Sequence, residues 1–344
     1  MSAVTVSVTG AAGQIAYAFL FRLISGEVFG KKRLVNLVLL EIPQAVGKLE
    51  GLVFELEDCG FATLGDVKCT ADVNDAFVGA DWIVLLGAFP RGPGMDRSQL
   101  LAKNAGIFKS QGEAINKYAK GAKVSEDSGR DGLEGKRTLT PFLCSVKIIT
   151  VGNPCNTNTA VAREAAPEVD DGNWYAMTTL DVNRAKSLYA KEAGIPVDTI
   201  GDEEVVIWGN HSSTMVVDYR SGIGDIANLA AIKQRVQNRG GEIIKARGGS
   251  SVASAANAIL DTIRNILTVG KFFSAGVVSD GSYGIEKGLI FSFPVRAVEG
   301  GRTEIVKGLD VSTIRGDLDK TQEELKGEIK TVRQIFGLGE ASKL

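Results

Sequence analysis

Four short, almost unbroken apolar runs stand out in the first 155 residues: "AVTVSVT" (3–9), "LVNLVLLE" (34–41), "DWIVLLGA" (81–88) and "VKIITVGN" (146–153). They lack polar alternation, the mark of strands buried on both faces in a helix-covered parallel sheet. Helical patterns fill the intervals, so this half predicts right-handed βαβ units on a doubly wound parallel sheet. Past about residue 157 the pattern loosens. Helical periodicity in "NRAKSLYAKEAG" (183–194), "SSVASAANAILDTIRNIL" (250–267) and "DLDKTQEELKGEIKTVRQIF" (317–336) mixes with antiparallel-looking strands. The expectation is an α/β chain of two domains, a parallel-sheet unit over 1–156 and an α+β unit over 157–344. One segment, "KVSEDSGRDGLEGKRTLTPF" (123–142), is rich in Gly, Ser and charge. It is long for a helix-to-strand connection and reads as an extra surface loop.

Composition narrows the function classes. With 44% apolar and 23% charged residues in 344, the chain has an ordinary globular balance. Its 39 basic and 41 acidic residues make no case for nucleic acid or an anionic membrane. No apolar run approaches the ~18 residues of a membrane span. The start "MSAVTVSVTG" reads as a strand instead of a basic-then-apolar leader. Cys59, Cys69, Cys144 and Cys155 lack metal-ligand spacing, and a single histidine offers them little help, so no metal is expected. Scattered cysteines without a leader favour a cytoplasmic setting.

Chemistry enters at "TVSVTGAAGQIAYAFL" (5–20), where a Gly-x-x-Gly turn follows a strand and opens an apolar helix. Gly10 permits the tight turn and Gly13 lets backbone approach a pyrophosphate. The helix from near Gln14 offers free N–H groups and a positive dipole end. Such a turn alone is weak evidence. The next strand ends in Glu41, whose carboxylate suits the two adenosine ribose hydroxyls and repels a 2′-phosphate. Together they predict a Rossmann-type sheet that takes NAD in preference to NADP. A capping acid after a strand is the bland alternative.

After the third run comes "FPRGPGMDRSQLLAKNAGIF" (89–108), which puts Arg91 and Arg97 at the carboxyl edge of the sheet, where ligands bind. Arg97 also starts a helix, an unfavourable place for a cation unless an anion meets it. Taken alone, both could be solvated loop charges. In "TTLDVNRAKSLYA" (178–190), Asp181 and Arg184 share a helix face at i and i+3. The lone His211 ends a β-type run in "VIWGNHSS" (206–213). A surface ion pair and a core histidine are the usual readings of such residues. Yet hydride transfer from a secondary alcohol needs a base working near neutral pH, an acid to orient it, and a planar fork for a carboxylate. His211, Asp181 and Arg184 fill those roles once each, behind a dinucleotide turn.

These motifs, in this order, resemble the malate dehydrogenases of the branch shared by cytosolic, chloroplast-type and some bacterial enzymes. The resemblance runs almost end to end. It includes "VTGAAGQIAY", "LEGLVFELEDC", "PRGPGMDRSQLLAKNAGIFKSQG", "VGNPCNTN", "LDVNRAK", "IWGNHSST", "IIKARGGSSVASAA" and "VVSDGSYGI". It implies reversible hydride transfer between (S)-malate and oxaloacetate, with NAD as cofactor and small molecules as the only partners besides a second copy of the chain. His211 would be the base and Asp181 its partner. Arg184 would grip the carboxylate next to the carbinol carbon, Arg91 the second carboxylate, and Arg97 would polarise the carbonyl from a closing loop. Asn153 would touch substrate and cofactor. The resemblance places Gly10, Ala11, Ala12, Gly13, Gln14, Ile15, Ala16, Glu41, Asn104, Gln111, Val151 and Gly152 around NAD. It also implies a homodimer with the helix "LEGLVFELEDC" in the interface. Relatives using NAD commonly carry Asp where Glu41 stands, and they join the helix and strand around 123–142 in a few residues. Chloroplast-type relatives carry regulatory cysteine-bearing extensions at both ends, and thiol regulation of that kind is not expected here.

Three rival readings compete. A lactate-type dehydrogenase shares fold, base and acid but carries an uncharged residue where Arg91 stands. A short-chain reductase would use the Tyr283-x-x-x-Lys287 pair in "SDGSYGIEKG", but Gly281 and Gly284 predict a hairpin there, not the required helix. An inactive NAD-binding module would show decay at His211, Asp181 or the arginines, and none has decayed.

Overall fold

The computed structural model describes residues 2–89, 97–119, 146–220, 226 and 228–337. The chain runs β1 (Val4–Thr9), α1 (Gln14–Arg22), β2 (Val35–Leu40), α2 (Leu49–Asp58), β3 (Leu64–Thr70), α3 (Val73–Ala76), β4 (Trp82–Leu85), α4 (Arg97–Tyr118), β5 (Lys147–Thr150), α5 (Cys155–Glu164) and β6 (Trp174–Ala176). It continues with α6 (Thr179–Ala193), β7 (Val205–Trp208), β8 (Val216–Tyr219), α7 (Leu229–Arg247), α8 (Ala253–Leu267), β9 (Phe272–Val278), β10 (Ile290–Val298), β11 (Arg302–Ile305) and α9 (Arg315–Ile335).

The first six strands pair in parallel in the spatial order β3-β2-β1-β4-β5-β6, the doubly wound arrangement. Their apolar runs are unbroken because each face feeds a different core. On β4, Trp82 and Val84 join one cluster with α1, α2 and α8, while Ile83 and Leu85 join the other with α3, α4 and α5. β5 divides the same way, Ile149 to the first cluster and Ile148 to the second. Each such side chain leaves water completely or nearly so, a gain of roughly 1.5–3 kcal/mol apiece.

The sheet does not stop at β6. Strand β9 meets it antiparallel through Ala176 and Gly276, and β10 and β11 extend the sheet to nine strands. The β7–β8 hairpin forms a small separate sheet, tied to β10 by a bridge between Gly209 and Ser292. Two strands escape the sequence pattern. β3 lies at the sheet edge with most of its residues partly or fully exposed, so it shows no apolar run, and β6 has only three residues. Tyr283 and Lys287 fall in the β9–β10 connection. Tyr283 sits there in a one-turn 3-10 element at φ 57°, and its hydroxyl donates to the Val306 carbonyl at 2.6 Å, so the pair shares no helix face.

Candidate active site

β1 and β4 are neighbours whose following connections leave on opposite sides, which opens a crevice at their carboxyl ends. There Gly10, at φ +65°, presses against Gly87: a Cβ on Gly10 would lie 2.8 Å from the Gly87 Cα. The Thr9 hydroxyl accepts the Gly87 N–H at 3.0 Å and pins the two connections together. Only a bare backbone fits, and it leaves a cradle shaped for a phosphate chain. Gly13 is the N-cap of α1 and supplies no side-chain cap, and the first turn carries no acid. The amides of Gln14, Ile15 and Ala16 therefore have no earlier turn to bond and point out of the helix end. The Ala11 and Ala12 amides are engaged elsewhere. Ala11 donates to the Leu40 carbonyl at 3.2 Å and Ala12 to the Glu41 carboxylate at 3.0 Å. The other Glu41 oxygen accepts the Ile42 N–H at 2.9 Å. Glu41 thus stands at the end of β2 beside the glycine turn, with lone pairs remaining for two hydroxyls. These features fit a dinucleotide.

Val151 and Gly152 follow β5, and both amides donate to the Leu85 carbonyl, at 3.0 and 3.1 Å. Asn153 is exposed at the crevice rim and precedes a cis peptide bond to Pro154. Asn104 on α4 is fully buried. Its side chain accepts the Phe89 N–H at 2.7 Å and donates to the Asn153 carbonyl at 3.0 Å, fastening the loop after β4 to the loop after β5. Gln111, two turns further along α4, is buried with an Oε1 that has no hydrogen-bond partner. Arg91 and the segment 123–142 lie outside the described residues, and of Arg97 only the backbone, at the start of α4, is described.

The second half of the chain supplies a charged triad. Asp181 stands in the first turn of α6 with no exposure at all. One of its oxygens accepts from His211 Nδ1 and the other from Arg184 Nη1 at 3.2 Å. A carboxylate removed from water needs this double partnership. It also fixes the imidazole: with Nδ1–H given to Asp181, Nε2 is the nitrogen left to take or return a proton. Arg184 reaches Ser251 with Nη2 at 3.0 Å and keeps a buried Nε with no partner, a donor available to an anion. Cys155 is buried nearby. Burial, reinforced by the negative charge of Asp181, pushes its thiol up, so it stays protonated and unreactive.

Several supporting residues carry no local signal in the sequence. Asn156 at the start of α5 accepts the His211 N–H at 3.0 Å and donates to the carbonyls of Gly209 and Ile290 at 3.3 and 3.0 Å. Behind the histidine, α9 presents Thr321, Glu324 and Glu328. Thr321 accepts the Asn210 N–H at 2.9 Å. Glu324 accepts from Asn210 at 2.8 Å, from Thr214 at 2.6 Å and from Ser212. Glu328 accepts from Asn210 at 3.1 Å and from Thr157. Gly209, at φ +92°, is required here because a Cβ would lie 2.4 Å from the Thr321 methyl. "VGNPCNTN" and the amphipathic helix were both visible, but not the pairing between them.

Residues 4–125 match the lactate/malate dehydrogenase NAD binding domain, and residues 178–335 match the alpha/beta C-terminal domain of the same family. A malate dehydrogenase of Magnetococcus marinus is 43% identical over 348 residues, covering 97% of this chain and 98% of that protein. A malate dehydrogenase structure from Naegleria fowleri superposes with a TM-score of 0.85 at 36% identity, covering 97% of this chain and 99% of that one. A lactate dehydrogenase of Trichomonas vaginalis, solved with NADH and oxamate, gives 0.84 at 32% identity over 97% and 99% of the two chains. With these two matched regions, and with relatives this similar over nearly its whole length, the chain belongs to the lactate/malate dehydrogenase family.

Proposed function

We propose that this chain interconverts (S)-malate and oxaloacetate, with residues 1–156 holding NAD and residues 157–344 supplying the acid–base groups. Bound NAD+ supplies a hydride acceptor. His211 Nε2 takes the hydroxyl proton of malate and returns it when oxaloacetate is reduced. Asp181 holds Nδ1–H and offsets the positive charge that the ring then carries. Arg184 takes the carboxylate beside the carbinol carbon, using the Nε donor that has no other partner. Arg91 takes the second carboxylate, Arg97 polarises the carbonyl, and Asn153 lies between substrate and cofactor. Gly10, Gly13, Gln14, Ile15 and Ala16 line the phosphate chain, with Ala11, Ala12, Val151 and Gly152 as its walls. Glu41 takes the ribose hydroxyls, and Asn104 and Gln111 complete the wall on α4. The observation that carries this reading is the buried Asp181 joining His211 and Arg184.

The reading extends to a homodimer in the cytoplasm. Its surface support is the apolar patch of α1 and α2, where Tyr17 is 48% and Phe54 56% exposed. Unpaired Cys59, Cys69 and Cys155 suit a reducing compartment. No helix among the described residues is long and apolar enough to cross a membrane. The test follows NADH oxidation with oxaloacetate and with pyruvate, then repeats it with NADPH. Faster turnover of oxaloacetate with NADH supports the reading. Preference for pyruvate, or for NADPH, would overturn the substrate or the cofactor assignment respectively.

A further inference from the structure

Arg247, the last residue of α7, reaches across to the first helix of the chain. Its Nη1 donates to the Ser250 carbonyl at 2.7 Å and its Nη2 to Gln14 Oε1 at 3.2 Å. Both acceptors are neutral oxygens, and among the described residues no carboxylate pairs with this guanidinium. Gln14 is the first residue of α1, so the cation stands at the helix end whose amides have no preceding turn to bond. A positive side chain at the positive end of a helix dipole is unfavourable by itself. It becomes favourable when an anion settles between the two.

The stretch from Arg247 to Ser251 also fixes the arginine in place. Nη1 is held on Ser250, and the next residue, Ser251, accepts from Arg184 at 3.0 Å. Only Nη2 rests on a replaceable partner, a side-chain amide on an exposed residue.

We propose that Arg247 is a ligand of the pyrophosphate of the bound dinucleotide, with Gln14 as its resting partner. When the dinucleotide binds, Nη2 exchanges a neutral amide oxygen for a charged phosphoryl oxygen, a stronger, charge-assisted contact. The contact comes from the carboxy-terminal half, outside the 4–125 region that matches the NAD binding domain. The proposal rests on the NAD assignment made under Proposed function.

The experiment measures binding of ADP-ribose, which carries the pyrophosphate without the nicotinamide, by calorimetry at low and at moderate salt. Wild type, Arg247→Gln and Arg247→Lys are compared, with melting temperature as a check on folding. Arg247→Gln should weaken ADP-ribose roughly fivefold at low salt, the upper range for an exposed charge contact. Its affinity should also depend less steeply on salt than that of wild type. Arg247→Lys, which keeps the charge and loses the fork, should stay within about twofold of wild type. Equal binding by wild type and Arg247→Gln overturns the proposal. So does an equal loss in both variants, which would mark a purely steric role. If wild type binds no ADP-ribose, the NAD assignment fails and this proposal falls with it.

Discussion

At the scale of single residues, the site depends on an imidazole held by a carboxylate with no access to water. Replacing His211 by Gln keeps the volume and a hydrogen-bonding group but removes the proton acceptor. Turnover should fall by about 100- to 10,000-fold, while NADH binding, followed by its fluorescence, should stay within about twofold because the base acts in the chemical step. Retention of a tenth of the activity would reassign the base. Arg91→Leu addresses substrate choice. A second carboxylate enclosed over the site needs a cationic partner, and truncating one side of such a pair costs roughly 2–5 kcal/mol. The variant should lose at least about tenfold in kcat/KM for oxaloacetate and gain in relative rate with pyruvate. An unchanged ratio of the two substrates would make Arg91 a solvated charge.

Among the elements, α9 shows most clearly what distant packing adds. Glu328 is nearly buried and accepts from Asn210 and Thr157, on two different segments. Glu328→Ala leaves two buried donors without this acceptor, so stability should drop by roughly 1.5–3 kcal/mol and the melting temperature by several degrees. A melting curve that matches wild type would mean that water replaces the carboxylate. The glycine turn, the central strands and the Asp181–Arg184 spacing were legible in the sequence because each is a local signal: a bare turn after an apolar run, or an i, i+3 pair. The polar edge strand β3 hid for the opposite reason, since a half-solvated strand has no apolar run to reveal it. Asn156, Ser251 and the α9 carboxylates hid because their partners lie dozens of residues or more away in the chain. No spacing rule reaches that far. Arg184 lay between the two cases: its place on one helix face with Asp181 was legible, its contact with Ser251 was not.

Across the whole molecule, buried groups on the central strands, Lys147 and Tyr175 among them, shape an alkaline stability profile. Lys147 is buried at the start of β5 and donates to Asn173 at 2.6 Å. Burial, with repulsion from Arg302, lowers its pKa from 10.5 to about 8. The folded state therefore binds fewer protons there than the unfolded chain, and stability rises as pH climbs from about 8 to 10.5. Tyr175 acts in the other direction. Burial raises its phenol from 10.0 to about 12, so the stability it contributes is present below pH 10.0 and lost as pH rises toward about 12. The buried Cys155 thiol and the half-buried Tyr219 phenol, pushed up by burial from 9.0 and 10.0, act in the same direction as Tyr175. Melting temperature should therefore climb above pH 8 by an amount equivalent to a few kcal/mol at most, level off near about pH 9 and turn down above about pH 10. Lys147→Met should flatten the rising limb and leave the fall. A Lys147→Met curve that parallels the wild-type one between about pH 8 and 10 would mean that Lys147 remains fully charged.

The nine-stranded sheet bears on how this chain can be cut and recombined. The parallel sheet runs past residue 156 into β6, and β6 abuts β9, so a cofactor unit cut at either place owns no finished border on that side. Trp174 and Tyr175 on β6 are both completely buried, and Tyr175 shares a cluster with Phe273 on β9 and Phe291 on β10. A fragment severed after β6 would present a bare strand with its amides and carbonyls unmet and an aromatic face turned to water, the usual start of edge-to-edge aggregation. Gene fusions that borrow the dinucleotide unit alone should yield inclusion bodies. Fusions that carry β9, β10 and β11 along with it should stay dispersed. Kinship by domain and independence of folding are different properties, and here they part company at residue Ala176.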